Sequence, residues 1–131
     1  MVYKNIATAV FTPLEIGTVG LTEDEATAKF GSDVDCYVSA FQPLEWSVCH
    51  KEEIFSFAKI VVNTTNDTVL GIHIASPNAG EIIQGYAVGF RKGLKYQDLV
   101  NTVGIHPTIA EEFTTMEILK SSGKNIEKAG C

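Results

Sequence analysis

The sequence has few of the features that mark secreted, membrane or zinc-binding proteins. Its three cysteines, Cys36, Cys49 and Cys131, are odd in number and no two have CxxC spacing, which excludes a self-contained disulfide framework and a zinc site. No apolar run approaches the roughly 20 residues that span a bilayer, and the N-terminus shows no secretory signal pattern. These absences favour the cytosol, with the mitochondrion as the alternative compartment.

Basic residues are also scarce. The chain has 10 Lys and Arg against 16 Asp and Glu, a net charge of −6, and the basic residues are scattered. Binding to nucleic acid or to an anionic membrane needs clustered cations, so neither partner is expected. The sequence also contains no GxGxxG after a strand and no P-loop, so we expect no nucleotide site within the chain itself.

The apolar pattern predicts a β-meander. Alternating β-branched and aromatic residues indicate strands, and a polar turn is expected at 63–67. The predicted strands are 6–11, 34–41, 55–62 and 68–75. Residues 14–20 are predicted to be irregular, because Gly17 and Gly20 read as strand breakers. Consecutive strands favour an antiparallel sheet.

Helical periodicity appears before and after the meander. A capping box at Thr22–Glu25 predicts a helix that ends at Gly31. Three further helices are predicted: one from Asn78 as N-cap to Gly93, a short one within 95–103, and a last one from Thr108 as N-cap to Gly123. The predicted fold class is α+β, an antiparallel sheet flanked by helices, with a domain at 1–123 and a mobile tail at 124–131.

The strongest candidate for chemistry is His106. Pro107 restricts the backbone at His106, and Glu111 lies in the first turn of the predicted helix. A carboxylate on one ring nitrogen fixes the tautomer and raises the basicity of the other, as a proton shuttle requires. An alternative stays open, because Thr108-x-x-Glu111 is also an ordinary capping box.

The remaining candidates have weaker signals. His73 lies in an apolar strand and is expected to be structural, whereas His50 is expected in a solvated loop. Cys131, on a tail of small residues, is expected to be exposed and mobile. Cys36 and Cys49 are expected to be inert thiols.

Several motifs occur in an order and at spacings that resemble a known family. The motifs are Phe11-Thr12-Pro13-Leu14-Glu15, Pro43-Leu44-Glu45-Trp46, Pro77-Asn78-Ala79-Gly80-Glu81, Gly104-Ile105-His106-Pro107-Thr108, Phe113-Thr114-Thr115 and Ala129-Gly130-Cys131. Together they cover almost the whole chain and resemble the C-terminal interface domain of the large animal thioredoxin reductases, including the thioredoxin–glutathione reductases.

The resemblance implies a role in a homodimeric flavoprotein that uses FAD and NADPH. The acid–base histidine of such enzymes matches His106, and the glutamate that orients it matches Glu111. The resemblance also implies that His106 and Pro107 approach the flavin and the redox dithiol of the partner subunit. The matching helix, 78–90, would help to form the dimer.

The end of the chain carries a further implication. The family's tail ends in Gly-Cys-selenocysteine-Gly, so Gly130 and Cys131 match its first two residues and the chain stops before the selenocysteine. The implied reaction is reduction of thioredoxin, with glutathione as an alternative substrate, by thiol–disulfide or selenol exchange with Cys131 as a redox-active residue. We expect this piece alone to bind neither cofactor tightly and to be inactive. The alternatives are the matching domain of glutathione reductase and a non-catalytic dimerisation module.

Overall fold

A computed structural model describes residues 3–49 and 55–128. In this part of the chain the central element is a five-stranded, wholly antiparallel sheet of order β1-β2-β5-β4-β3. The strands are β1 (Thr8–Val10), β2 (Ile16–Gly20), β3 (Val34–Phe41), β4 (Ser56–Asn63) and β5 (Thr68–Ala75). The predicted fold class, an antiparallel sheet flanked by helices, is confirmed.

Helices cover both faces of the sheet. They are α1 (Glu23–Phe30), α2 (Leu44–Val48), α3 (Ala79–Arg91) and α4 (Tyr96–Val100), joined by 3₁₀ turns at Gly31–Asp33, Ala110–Thr114 and Lys120–Ser122. The predicted capping box opens α1, where the Thr22 hydroxyl accepts a hydrogen bond from the Glu25 amide at 3.2 Å.

The apolar core consists of two clusters, one on each face of the sheet. The larger cluster packs α3, α4 and the Ala110–Thr114 turn against the sheet, and its fully buried members include Val19, Ile60, Ile72, Ile74, Ile83, Phe113 and Met116. The smaller cluster, beneath α1, consists of Ala26, Cys36, Val38 and Val61. Because side chains alternate along a strand, β3 and β4 contribute to both clusters.

The prediction that residues 14–20 are irregular is wrong, since β2 pairs with both β1 and β5. Gly17 is not a strand breaker here. A Cβ on Gly17 would lie 2.6 Å from the Ala79 carbonyl oxygen and 2.7 Å from Ile83 Cγ1. The glycine therefore allows α3 to approach the sheet closely, which a single sequence cannot show.

Asn78 does not cap α3 in the predicted way. It precedes the helix in a left-handed conformation with φ 60°, and its side chain makes no capping hydrogen bond. The Glu15 carboxylate, far away in sequence, accepts a hydrogen bond from the Gly80 amide at 3.2 Å instead. A carboxylate at a helix N-terminus also interacts favourably with the helix dipole.

The predicted last helix, from Thr108 to Gly123, is wrong as a continuous element. It is replaced by two short 3₁₀ turns and an extended segment in which the Ile118 carbonyl accepts a hydrogen bond from the Val38 amide at 2.9 Å. That segment covers the free edge of β3. Pairing with an otherwise exposed strand edge satisfies backbone groups, and it overrides the helical spacing of the apolar residues.

The C-terminal segment continues along the same edge. The Ala40 amide donates to the Ile126 carbonyl, and the Lys128 amide donates to the Ala40 carbonyl, both at 2.9 Å. Residues 124–128, predicted to begin a mobile tail, thus lie against the domain. The division of the chain at residue 123 stays a prediction, and residues 129–131 lie outside the described residues.

Candidate acid–base site

His106 and Glu111 contact each other. His106 Nδ1 lies 2.9 Å from Glu111 Oε1. The imidazole side chain is 65% exposed, whereas the glutamate side chain is only 13% exposed. The partly buried carboxylate therefore holds one edge of the ring while the rest of the ring faces outward.

The capping box and the His106 contact share one carboxylate oxygen. Glu111 Oε1 also accepts a hydrogen bond from the Thr108 amide at 3.2 Å, and the Thr108 hydroxyl accepts one from the Glu111 amide at 3.3 Å. The two interpretations of Thr108-x-x-Glu111 are thus compatible. The capping box orients the carboxylate, and the carboxylate orients the imidazole.

This contact assigns the tautomer of a neutral His106 ring. An ionised carboxylate only accepts hydrogen bonds, so Nδ1 donates its hydrogen to Glu111 and the lone pair lies at Nε2. Among the described residues His106 Nε2 has no hydrogen-bond partner. The arrangement can therefore accept a proton at Nε2 from a group outside this chain and stabilise the resulting imidazolium through Glu111.

Two aromatic residues hold the turn that carries Glu111. The Tyr86 hydroxyl on α3 donates to the Ala110 carbonyl at 2.9 Å, and the Tyr86 ring meets the fully buried Phe113 edge to face with ring centres 4.9 Å apart. Burial raises the pKa of Tyr86 to about 12, so its hydroxyl remains a donor at neutral pH. The position of Glu111 therefore depends on the packing of α3.

Pro107 is exposed beside a groove of about 300 Å³. The groove is lined by residues that include Phe41, Pro43, Ile82, Ile109 and Glu112. The exposed imidazole and the exposed proline beside it are both accessible to a group outside this chain.

The other candidate residues are dispersed. Cys36 is buried, and burial raises the pKa of its thiol to about 11, which fits the predicted inert role, while Cys49 is exposed. His73 is partly buried in β5 with Nε2 2.9 Å from the Leu21 carbonyl oxygen, as a structural histidine would be. His50 and Cys131 lie outside the described residues.

Sequence reasoning missed a buried charge next to this site. Glu112 is 9% exposed, and its Oε2 lies 2.7 Å from Lys128 Nζ and 3.2 Å from the Ser39 hydroxyl. No local pattern links these residues, because Lys128 and Ser39 are 16 and 73 positions away in sequence. The sequence contained one signal for this buried charge, since Glu112 directly precedes Phe113, an apolar core residue.

Two other kinds of site do not occur within residues 3–49 and 55–128. No group of three or more His, Cys, Asp or Glu side chains is placed to hold a metal ion. No helix in these ranges is long and apolar enough to cross a bilayer.

The antiparallel sheet with its flanking helices is the fold of a known family of domains. Residues 6–117 match the dimerisation domain of the pyridine nucleotide-disulphide oxidoreductases. The match covers most of the chain, which therefore belongs to this family.

Similarity to an individual protein is more specific than the family match. The chain is 45% identical, over its whole length, to "Thioredoxin reductase SEP1" of Emiliania huxleyi. It is thus a homologue of a thioredoxin reductase. The chain spans only 27% of the length of that relative.

Proposed function

We propose that this chain is the C-terminal part of an NADPH-dependent FAD flavoprotein that reduces thioredoxin by thiol–disulfide or selenol exchange. In this proposal it supplies the dimer interface, the His106–Glu111 acid–base pair and the tail thiol of Cys131. The family match and the identity to a thioredoxin reductase support the class of reaction.

The single observation that carries the proposal is the 2.9 Å contact between His106 Nδ1 and Glu111 Oε1, with the ring 65% exposed. When bound, NADPH and FAD would supply the two electrons that reduce a disulfide. Two electrons convert the disulfide to two thiolates, each of which takes up a proton to become a thiol, and a nearby base can hold or supply such a proton. His106 Nε2 is positioned to hold one of these protons, while Glu111 keeps the ring in place.

Exposed apolar residues support a partner surface around His106. Ile105 directly precedes the histidine and is 77% exposed, and Val103, two residues earlier, is 93% exposed. Neighbouring exposed apolar side chains are typical of a surface that another protein covers. We propose that a second copy of the same polypeptide covers them and places its redox dithiol and flavin opposite His106 and Pro107.

The test is mutagenesis of the intact flavoprotein that contains this chain. We expect His106→Gln to lower NADPH-dependent thioredoxin turnover by about 100-fold or more, because it removes the proton acceptor. Glu111→Gln should lower turnover by roughly tenfold, because the ring loses its orienting carboxylate. Glu117→Gln, an exposed carboxylate further along the same segment, is the matched control and should leave turnover unchanged.

Turnover is measured together with the molar mass in solution, which should be that of a homodimer. A His106→Gln dimer with nearly wild-type turnover would reject the acid–base role and favour a non-catalytic dimerisation module. Preference for glutathione disulfide over thioredoxin would favour the glutathione reductase alternative. The selenocysteine proposed after Cys131 is tested separately, by mass spectrometry of the natural full-length protein.

A further inference from the structure

Glu112 is a buried carboxylate that the proposed acid–base chemistry does not use. It lies in the Ala110–Thr114 turn, directly after Glu111, and is 9% exposed. Removing a carboxylate from water is costly unless a counter-ion and hydrogen bonds replace the lost hydration. The partners of Glu112 therefore show what this charge fixes in place.

Lys128 is the counter-ion of Glu112 and also contacts the end of the turn. Its Nζ donates to Glu112 Oε2 at 2.7 Å and to the Thr115 hydroxyl at 2.7 Å. The Ser39 hydroxyl on β3 donates to the same Glu112 oxygen at 3.2 Å. The Lys128 amide donates to the Ala40 carbonyl, also on β3, at 2.9 Å. The ion pair thus ties the end of the turn to the sheet.

The start of the same turn is held by a separate contact. The Tyr86 hydroxyl on α3 donates to the Ala110 carbonyl at 2.9 Å. Glu111 lies between this contact and the ion pair of Glu112 with Lys128. The backbone of Glu111 is therefore fixed from both sides, once by α3 and once by the C-terminal segment.

Glu111 and Glu112 point in different directions from one backbone turn. Consecutive side chains of a 3₁₀ turn diverge by about 120°, because the turn has three residues per revolution. Glu112 contacts Lys128. Glu111 contacts the His106 ring, with 2.9 Å between Glu111 Oε1 and His106 Nδ1. A rotation of the turn that released Glu112 would therefore move the Glu111 carboxylate as well.

We propose that Glu112 and Lys128 are positioning residues for the acid–base pair, because their ion pair holds the turn in the orientation that keeps Glu111 on His106 Nδ1. This inference rests on the proposed function of His106 and Glu111. It adds that residues 124–128, which lie along β3, supply part of the support for that pair. Both Glu112 and Lys128 act through Glu111.

The loss of the lysine has an expected size. Without Lys128 the buried Glu112 carboxylate loses its counter-ion, so the turn shifts or opens to hydrate the charge. The Glu111 carboxylate then moves away from the imidazole. Because Lys128 acts through Glu111, turnover should fall by at least about threefold and by no more than the roughly tenfold expected for Glu111→Gln.

The experiment compares Lys128→Met, Lys128→Arg and the double variant Glu111→Gln/Lys128→Met in the intact flavoprotein. Lys128→Met should lower kcat for thioredoxin by about three- to tenfold, with the KM for NADPH and the rate of flavin reduction unchanged. In the Glu111→Gln background the same change should have little further effect, because the contact that it supports is already lost. Lys128→Arg keeps the ion pair and should restore turnover. Lys124→Met, at an exposed lysine of the same segment, is the matched control.

Hydrogen exchange reports on the turn independently of turnover. The Glu112 amide donates to the Ile109 carbonyl and the Thr115 amide donates to the Glu112 carbonyl, both at 3.2 Å. Lys128→Met should make exchange in residues 108–115 faster, whereas Lys128→Arg should leave it at the wild-type rate. Mass spectrometry of peptides from the intact flavoprotein measures both rates.

The outcomes separate this inference from the proposed function. Wild-type turnover in Lys128→Met, or losses that multiply fully in the double variant, would overturn the positioning role. If the wild-type protein does not reduce thioredoxin, the proposed function fails, and exchange in residues 108–115 alone decides whether the ion pair holds the turn. Lys128→Met should fold, because the lysine side chain is 30% exposed. If it does not, Glu112→Gln, which removes the charge and keeps the size, takes its place.

Discussion

At the scale of single residues, two histidines of this chain have opposite surroundings. His106 is exposed and contacts a carboxylate, whereas His73 is partly buried on β5 and donates from Nε2 to the Leu21 carbonyl at 2.9 Å. Burial lowers the pKa of His73, and the nearby positive charge of Lys59 acts in the same direction. The neutral form of His73 is therefore the one that the fold stabilises.

The lowered pKa of His73 predicts a pH-dependent stability. Below about pH 6.5 the unfolded chain binds a proton at this histidine more readily than the folded chain does. The free energy of unfolding should therefore fall as the pH drops through 6.5 and toward the lower folded-state pKa. His73→Gln, which cannot titrate, should show a smaller fall between about pH 7.5 and 5.5. Urea unfolding at both pH values measures the free energy of unfolding of each protein. An equal fall in His73→Gln and in the wild-type protein would contradict the lowered pKa of His73.

At the scale of elements, the preceding loop packs closely against Glu111 in the Ala110–Thr114 turn. A Cβ on Gly104 would lie 2.6 Å from Glu111 Cβ and 3.1 Å from Glu111 Oε2. There is no space for a methyl group unless the glutamate side chain moves. Gly104 thus limits where the Glu111 side chain can lie.

Gly104→Ala is therefore expected to act through Glu111. In the intact flavoprotein it should lower turnover by roughly tenfold, similar to Glu111→Gln. The double variant should be little worse than either single one, because both changes remove the same contact. Steady-state turnover of the three variants checks this, and fully additive losses would show that Gly104 acts elsewhere.

Gly85, which lies in open surroundings, provides the control for the effect of Gly104→Ala on the free energy of unfolding. A Cβ on Gly85 in α3 would meet no heavy atom within 4 Å. In the isolated chain, Gly85→Ala should raise the free energy of unfolding by about 0.5–1 kcal/mol, since alanine favours the helix, whereas Gly104→Ala should lower it.

At the scale of the whole molecule, α1 covers only part of its face of the sheet. The strand register aligns Val10, Ile16, Ala75 and Phe57 in one row across four strands. In this row Val10, Ile16 and Phe57 are 54%, 45% and 38% exposed. A continuous apolar row of this kind is typical of a surface that packs against another domain or chain.

This row predicts the behaviour of the isolated chain. We expect the chain to bind an apolar fluorescent dye and to self-associate, and we expect the double variant Val10→Thr/Ile16→Thr to reduce both. Val48→Thr is the matched control, because Val48 on α2 is 72% exposed and lies outside the row. Dye titration and sedimentation check the prediction. An equal reduction in Val48→Thr would show that the row has no special role.

Residues that lie close together in the sequence determined several strands and helix ends of this protein, and one contact of its site. Alternating apolar residues predicted β3 and β5 with the bounds that the structure shows, and the Thr22–Glu25 capping box predicted the start of α1. The position of Glu111, in the first turn predicted after His106-Pro107, predicted a carboxylate within reach of His106. These features depend on residues a few positions apart, so a single sequence contains the necessary information.

Only the tertiary structure decided the features whose partners are distant in sequence. Gly17 in β2 is explained by the approach of α3, and the Glu15 cap of α3 joins residues in two separate elements. The predicted last helix gave way to backbone pairing with the edge of β3, and Glu112 acquired its role from Lys128 and Ser39. Contacts of this kind form only when the whole chain packs, and apolar periodicity does not encode them.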